Sequence, residues 1–309
     1  MASASSSSTK STQETVKIPS ETPHWDLDAW VYTPVRSPSR DGYPVVIMAH
    51  GVGCTKSMGL ASWAEAFCAA GYVCIVFDFR RWGASDGSPR NSIFISERLQ
   101  DYRTIIKYCR RKDDYDSQKI VLWGYSFAGG HVLALSAEPE LNIRATIALA
   151  PYTGRAFGFT LTWLCLRRVS LAIADIIKQT FGASPVYIPC VGPPGSVGAV
   201  TAAGAVEGLL SLATGDGDFP NQISASTYLR TPMFQPRNVC SFIACPVLMI
   251  AATGDVICPA KGVLEAASLA PNAETVKIAG GHFDMFPGQS EHERCVKAQV
   301  AFLLKHIPV

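Results

Sequence analysis

The chain has no apolar run long enough to span a bilayer, no block of like charge, no internal repeat and no pair of cysteines at metal-binding spacing. Each absence removes a class of function. A membrane helix needs about 20 consecutive apolar residues, and none is present. Lys and Arg number 27 against 25 Asp and Glu, a net charge of +2, so there is no basic footprint for a nucleic-acid backbone. The ten cysteines show no C-x-x-C pair or His-spaced ligand set and read as buried thiols of a reducing compartment, except Cys54 and Cys258, which fall near the candidate site loops and are expected to line a pocket there. Neither a metal nor a cofactor is expected. The opening Met1-Ala2-Ser3-Ala4-Ser5-Ser6-Ser7-Ser8 is Ser-rich without the apolar core of a secretory signal. The closing His306-Ile307-Pro308-Val309 is no peroxisomal or retention address, so the cytoplasm is the expected location.

What remains is a chain of 309 residues with 48% hydrophobic and 17% charged residues, able to bury one large core. Apolar runs of strand type alternate with helical patterns, as a parallel sheet requires. A hairpin is expected over 16–32, strands over 44–49, 73–79, 120–123, 145–150, 245–252 and 274–278, and helices around 62–70, 96–111 and 291–306. Residues 1–15 read as a disordered tail and 16–151 with 241–309 as the core. The alternation fails over 152–240. That stretch is too long for a loop and reads as a helical lid inserted above the strand ends.

The chemistry centres on Gly124-Tyr125-Ser126-Phe127-Ala128-Gly129-Gly130, set between a strand and an Ala- and Leu-rich helix. A serine on such a tight turn is held out from the sheet edge, and small neighbours let the helix pack close behind it. Ala128 stands where the G-x-S-x-G pattern has its second glycine. A hydroxyl is a weak nucleophile until a base takes its proton and a carboxylate orients the base. Asp255 follows the strand 245–252 and His282 follows the strand 274–278, so Ser126, Asp255 and His282 are expected as nucleophile, orienting acid and base at three strand ends. His50-Gly51-Val52-Gly53 ends the strand 44–49, and the N–H groups of Val52 and Phe127 are the expected oxyanion donors. The ring of His50 is expected to anchor that turn, and Asp284 to bond the loop carrying His282. Asp78, Arg80, Arg81, Ser85 and Asp86 read as a structural cluster.

These blocks, with Met48-Ala49-His50-Gly51-Val52-Gly53-Cys54-Thr55-Lys56 and Phe77-Asp78-Phe79-Arg80-Arg81-Trp82-Gly83-Ala84-Ser85-Asp86-Gly87, resemble the α/β-hydrolase superfamily over residues 20–309. Within it they are similar to the dienelactone-hydrolase-like and peptidase-like branch, and there to the fungal polyketide transferases and related hydrolases of secondary metabolism. The resemblance implies an α/β fold with a mostly parallel eight-stranded sheet, flanking helices and serine acyl chemistry. Phe159 and Trp163, in an aromatic stretch of the lid, and Tyr152 are expected to bind substrate. An apolar roof of that kind would select a hydrophobic, polyketide-like acyl group as an ester, lactone or thioester, with an acyl carrier domain as a possible partner. Carbon–carbon cleavage of a β-dicarbonyl by the same residues, and a non-catalytic receptor on the same fold, are the alternatives.

Overall fold

The computed structural model describes residues 11–154, 162–213 and 219–309. In chain order the elements are β1 (Ser11–Pro19), β2 (Asp26–Pro34), β3 (Tyr43–Ala49), α1 (Ala61–Ala69), β4 (Val73–Phe77), α2 (Ile95–Arg110), β5 (Tyr115–Tyr125), α3 (Phe127–Ser136) and β6 (Ala145–Leu149). Then follow α4 (Trp163–Thr180), β7 (Tyr187–Ile188), α5 (Ala205–Leu210), β8 (Ile223–Ser224), α6 (Thr227–Arg230), β9 (Val247–Ala252), α7 (Ala260–Leu269), β10 (Ala273–Ile278) and α8 (His292–His306).

Eight strands form one sheet in the order β1-β2-β4-β3-β5-β6-β9-β10. Strand β2 runs antiparallel to both neighbours, and every pairing from β4 to β10 is parallel. Strand β3 shows why its sequence is apolar throughout: Val45, Ile47 and Ala49 face the layer of α2, α3 and α7, while Val46 and Met48 face the layer of α1 and α8. A strand covered on both faces has no polar side to show. Each large side chain buried this way contributes about 1.5–3 kcal/mol.

Strand β1 starts at Ser11, inside the stretch expected to be a disordered tail. Its first five residues carry no apolar pattern because this is an edge strand, and its register from Ser11 opposite Pro34 to Pro19 opposite Asp26 rests on backbone pairing. The other sheet elements lie within a few residues of expectation, although β5 is longer, 11 residues against the four-residue run over 120–123.

The cluster after β4 holds loops together. Lys56, buried, bridges Asp28 and Asp78 at 2.6 and 2.7 Å. Asp78 also accepts from the N–H groups of Lys56 and Ala84. Arg80 pairs with Asp101, and Arg81 with Glu97. Among the described residues no helix is long and apolar enough to cross a membrane.

Candidate active site

Strand β5 runs straight into Ser126, whose backbone sits at φ 55° and ψ −117°, a region that L-residues rarely occupy. Its surroundings fix that conformation. The Ser126 N–H donates to the carbonyl of Leu149 at 2.9 Å, and its own carbonyl accepts from Tyr152 N–H at 2.8 Å. A side chain at position 124 would meet the Ala128 carbonyl at 2.3 Å, and one at 130 would meet the Tyr152 carbonyl at 2.5 Å. The close approach is therefore carried by Gly124, Gly129 and Gly130, which explains why Ala128 is accommodated with its methyl buried.

The three expected side chains come together. His282 Nε2 lies 2.9 Å from Ser126 Oγ, and His282 Nδ1 lies 2.6 Å from Asp255 Oδ2. Asp255 Oδ1 accepts from the N–H groups of Ile257 and Cys258, both at 2.8 Å, so the second oxygen is left to the imidazole. That arrangement puts the ring proton on Nδ1 and leaves the Nε2 lone pair facing the hydroxyl. All three residues are buried.

Supporting contacts hold the histidine loop. Asp284 Oδ2 accepts from Gly281 N–H at 2.7 Å, the service expected of it. Tyr125 donates its hydroxyl to the His282 carbonyl at 2.9 Å and lays its ring against the imidazole. Its role was not read from sequence. The signal available was a residue one place before the elbow serine, where a strand points side chains to alternate faces.

His50 anchors its turn as expected. The Gly51 N–H donates to Nδ1 at 2.9 Å and Nε2 lies 2.8 Å from the Met58 carbonyl, while burial holds the imidazolium pKa down at about 4. A side chain at 51 would meet Ser126 Cβ at 2.9 Å, so the glycine lets this turn approach the serine. Among the described residues, neither the Val52 nor the Phe127 N–H is taken by an acceptor. Phe127 opens α3, where no carbonyl of the preceding turn exists to receive its N–H.

A cavity of about 350 Å³ opens on Ser126. Val52, Phe127, Val256, Ile257 and Cys258 line it from the core side, and Tyr152, Arg168, Ala199, Val200, Thr201, Ala202, Thr227, Tyr228, Thr231 and Pro232 from the segment between β6 and β9. Of the expected substrate residues, Tyr152 lines the cavity. Phe159 lies outside the described residues. Trp163 is not among the described residues that line the cavity; it is 78% exposed, and Leu166, Ile173, Ile177 and Phe181 are exposed as well.

The reason is Asp175, on the opposite face of α4. Its carboxylate accepts from Val186 N–H, Ser226 N–H, Gln179 Nε2 and Ser224 Oγ, which turns that face inward and the apolar stripe outward. The wall that this segment gives the cavity therefore mixes the hydroxyls of Thr201, Thr227, Tyr228 and Thr231 with the apolar Ala199, Val200, Ala202 and Pro232. Cys258 lines the cavity, whereas Cys54 does not, and burial pushes the Cys54 thiol well up.

Known proteins share this sequence pattern and fold. The chain is similar to the quorum-quenching protein AidA of Acinetobacter baumannii, 36% identical over 286 residues, 91% of each chain. It is similar to the polyketide transferase af380 of Aspergillus fumigatus, 28% identical over 286 residues, 91% of this chain and 94% of the other. The crystal structure of the alpha/beta hydrolase GrgF from Penicillium sp. sh18 superposes with a TM-score of 0.80 at 26% identity, covering 96% of this chain and all of the other. With residues 46–298 matching the model of the alpha/beta hydrolase family on top of the sheet order and the elbow described above, the chain belongs to that family of enzymes.

Proposed function

We propose that the protein is a serine-dependent acyl hydrolase or acyltransferase acting on an ester, lactone or thioester of a polyketide-like acyl group. The observation that carries this reading is the unbroken hydrogen-bonded relay from Asp255 through His282 to Ser126 at the mouth of a cavity. In the proposed cycle Ser126 Oγ attacks the acyl carbonyl while His282 Nε2 takes its proton. The Val52 and Phe127 N–H groups receive the developing oxyanion, each such donor being worth about 3 kcal/mol of barrier. His282 returns the proton to the leaving group as the carbon–heteroatom bond breaks. Water or an alcohol then attacks the acyl-enzyme, regenerating the serine.

The inserted segment from Tyr152 to Cys240 acts as a lid in this reading, contributing one wall of the cavity. Relatives named polyketide transferase support an acyl group of that type, and an acyl carrier domain is one form in which it could be delivered. The ten cysteines, none in a disulfide, suit a cytoplasmic enzyme.

The test is covalent labelling with a fluorophosphonate followed by peptide mass spectrometry. The adduct is expected on Ser126. Ser126→Ala is expected to abolish it and to lower turnover of any accepted ester by a factor on the order of 10⁴ or more. Failure to label native protein, with the probe small enough for the cavity, would refute the serine mechanism and favour a receptor.

A further inference from the structure

Resting on the reading that Ser126 accepts the acyl group, we infer that the acyl substrate carries a carboxylate at the end remote from its scissile carbonyl, received by Arg168. Among the described residues that line the cavity, Arg168 is the one cationic side chain and none is acidic. Among the described residues no carboxylate lies within ion-pair distance of it. A guanidinium remains protonated at any physiological pH, so this charge is permanent.

The side chain is held rather than loose. Its Nη2 donates to the Ser196 carbonyl at 2.6 Å and to Thr201 Oγ1 at 3.1 Å, and its guanidinium carbon lies 5.6 Å from the centre of the Tyr228 ring. Among the described residues, its Nε is buried without an acceptor. So is the hydroxyl of Thr227, a residue 2% exposed that lines the same cavity. Buried donors left unmet are destabilising, and such groups persist where a ligand completes them.

An anionic acceptor with two oxygens in a plane suits this end of the cavity better than a methyl terminus does. Carboxylate and guanidinium share a planar, two-pronged geometry, and the bond is strengthened by both charges. An all-hydrocarbon chain would instead cover the Arg168 charge and return no acceptor to it. Val52, Phe127, Val256 and Ile257, which line the same cavity and lie on the turns that carry the oxyanion donors, Ser126 and Asp255, offer apolar contact to the methylenes near the serine. The substrate class is therefore a dicarboxylic half-ester, half-thioester or lactone acid.

The experiment compares 4-nitrophenyl monoesters of glutaric, adipic and suberic acids with 4-nitrophenyl esters of the fatty acids of equal chain length, at pH 7.5. The readout is the ratio of kcat/KM, acid-terminated over methyl-terminated. In the native enzyme the best chain length is expected to give a ratio above ten, and Arg168→Gln to reduce that ratio by at least tenfold, with Arg168→Lys between the two. Melting temperature verifies that the variants fold. Protection of Ser126 from the fluorophosphonate by adipic acid monoamide, against hexanamide, reads the same preference without turnover. A ratio below ten at every length, or a ratio that Arg168→Gln lowers by less than tenfold, overturns the inference. If Ser126 still labels in that case, the carboxylate alone is refuted; loss of labelling in native enzyme would strike the serine mechanism itself.

Discussion

Two histidines, His50 and His131, are fully enclosed and belong to the neutral state of the fold. His50 is satisfied on both nitrogens, whereas neither nitrogen of His131 has a partner among the described residues. Burial holds both pKa values below the usual 6.5, His50 at about 4 and His131 well below, where the nearby Arg98 charge adds to the effect. The sign follows from proton counts. Between about pH 4 and 6.5 the unfolded chain binds protons that the folded chain refuses, so stability is complete above 6.5 and is lost as pH falls through that window. For His50 alone the loss is on the order of 3 kcal/mol. His131→Leu fills the same space without a ring to protonate, so its melting temperature is expected to fall less between pH 7 and pH 5 than that of the native protein. Parallel melting curves would refute this account. The lack of any partner for the His131 ring among the described residues is a property of the enclosure formed by Phe79, Phe127 and Phe234, which come from three separate stretches of chain.

At the scale of elements, the strand–turn–helix unit around Ser126 was legible because its demands are local. A short apolar run, small residues and a serine suffice to write a tight turn, and the same held for Asp255 and His282 at the ends of β9 and β10. The turn also makes a sharp distinction among its small residues. Gly124→Ala drives a methyl into the Ala128 carbonyl and is expected to destabilise by about 1–3 kcal/mol. Ala128→Gly, which restores the usual pattern, is expected to destabilise by only about 1 kcal/mol through helix propensity and to leave fluorophosphonate labelling in place. Chemical denaturation of the two variants measures the difference; equal losses would show that position 128 sets the turn. Helix α4 was not legible in the same way. Its apolar residues are as numerous as those of a core helix, yet four hydrogen bonds converging on Asp175 from Val186, Ser224, Ser226 and Gln179 decide which face turns inward. Those partners lie up to 51 residues away along the chain, and no periodicity within the helix announces them.

Over the whole molecule, the parallel sheet follows from apolar strands covered on both faces, and the carboxyl ends of β3, β5, β9 and β10 necessarily meet on one edge. The cavity above that edge depends on a segment whose polar lining comes from scattered positions, Thr201, Thr227, Tyr228 and Thr231, in short elements with too few residues to carry a pattern. The outward stripe of α4 has a practical corollary for spectroscopy. Trp63, Trp82 and Trp123 are shielded within the core and Trp25 and Trp30 are half-buried, while Trp163 on α4 stands 78% exposed, so acrylamide should quench Trp163 more steeply than any of the other five indoles. Replacing Trp163 with Phe is expected to remove most of that steep component, and the native signal then becomes an intrinsic optical gauge of how the wall above Ser126 responds when a ligand enters.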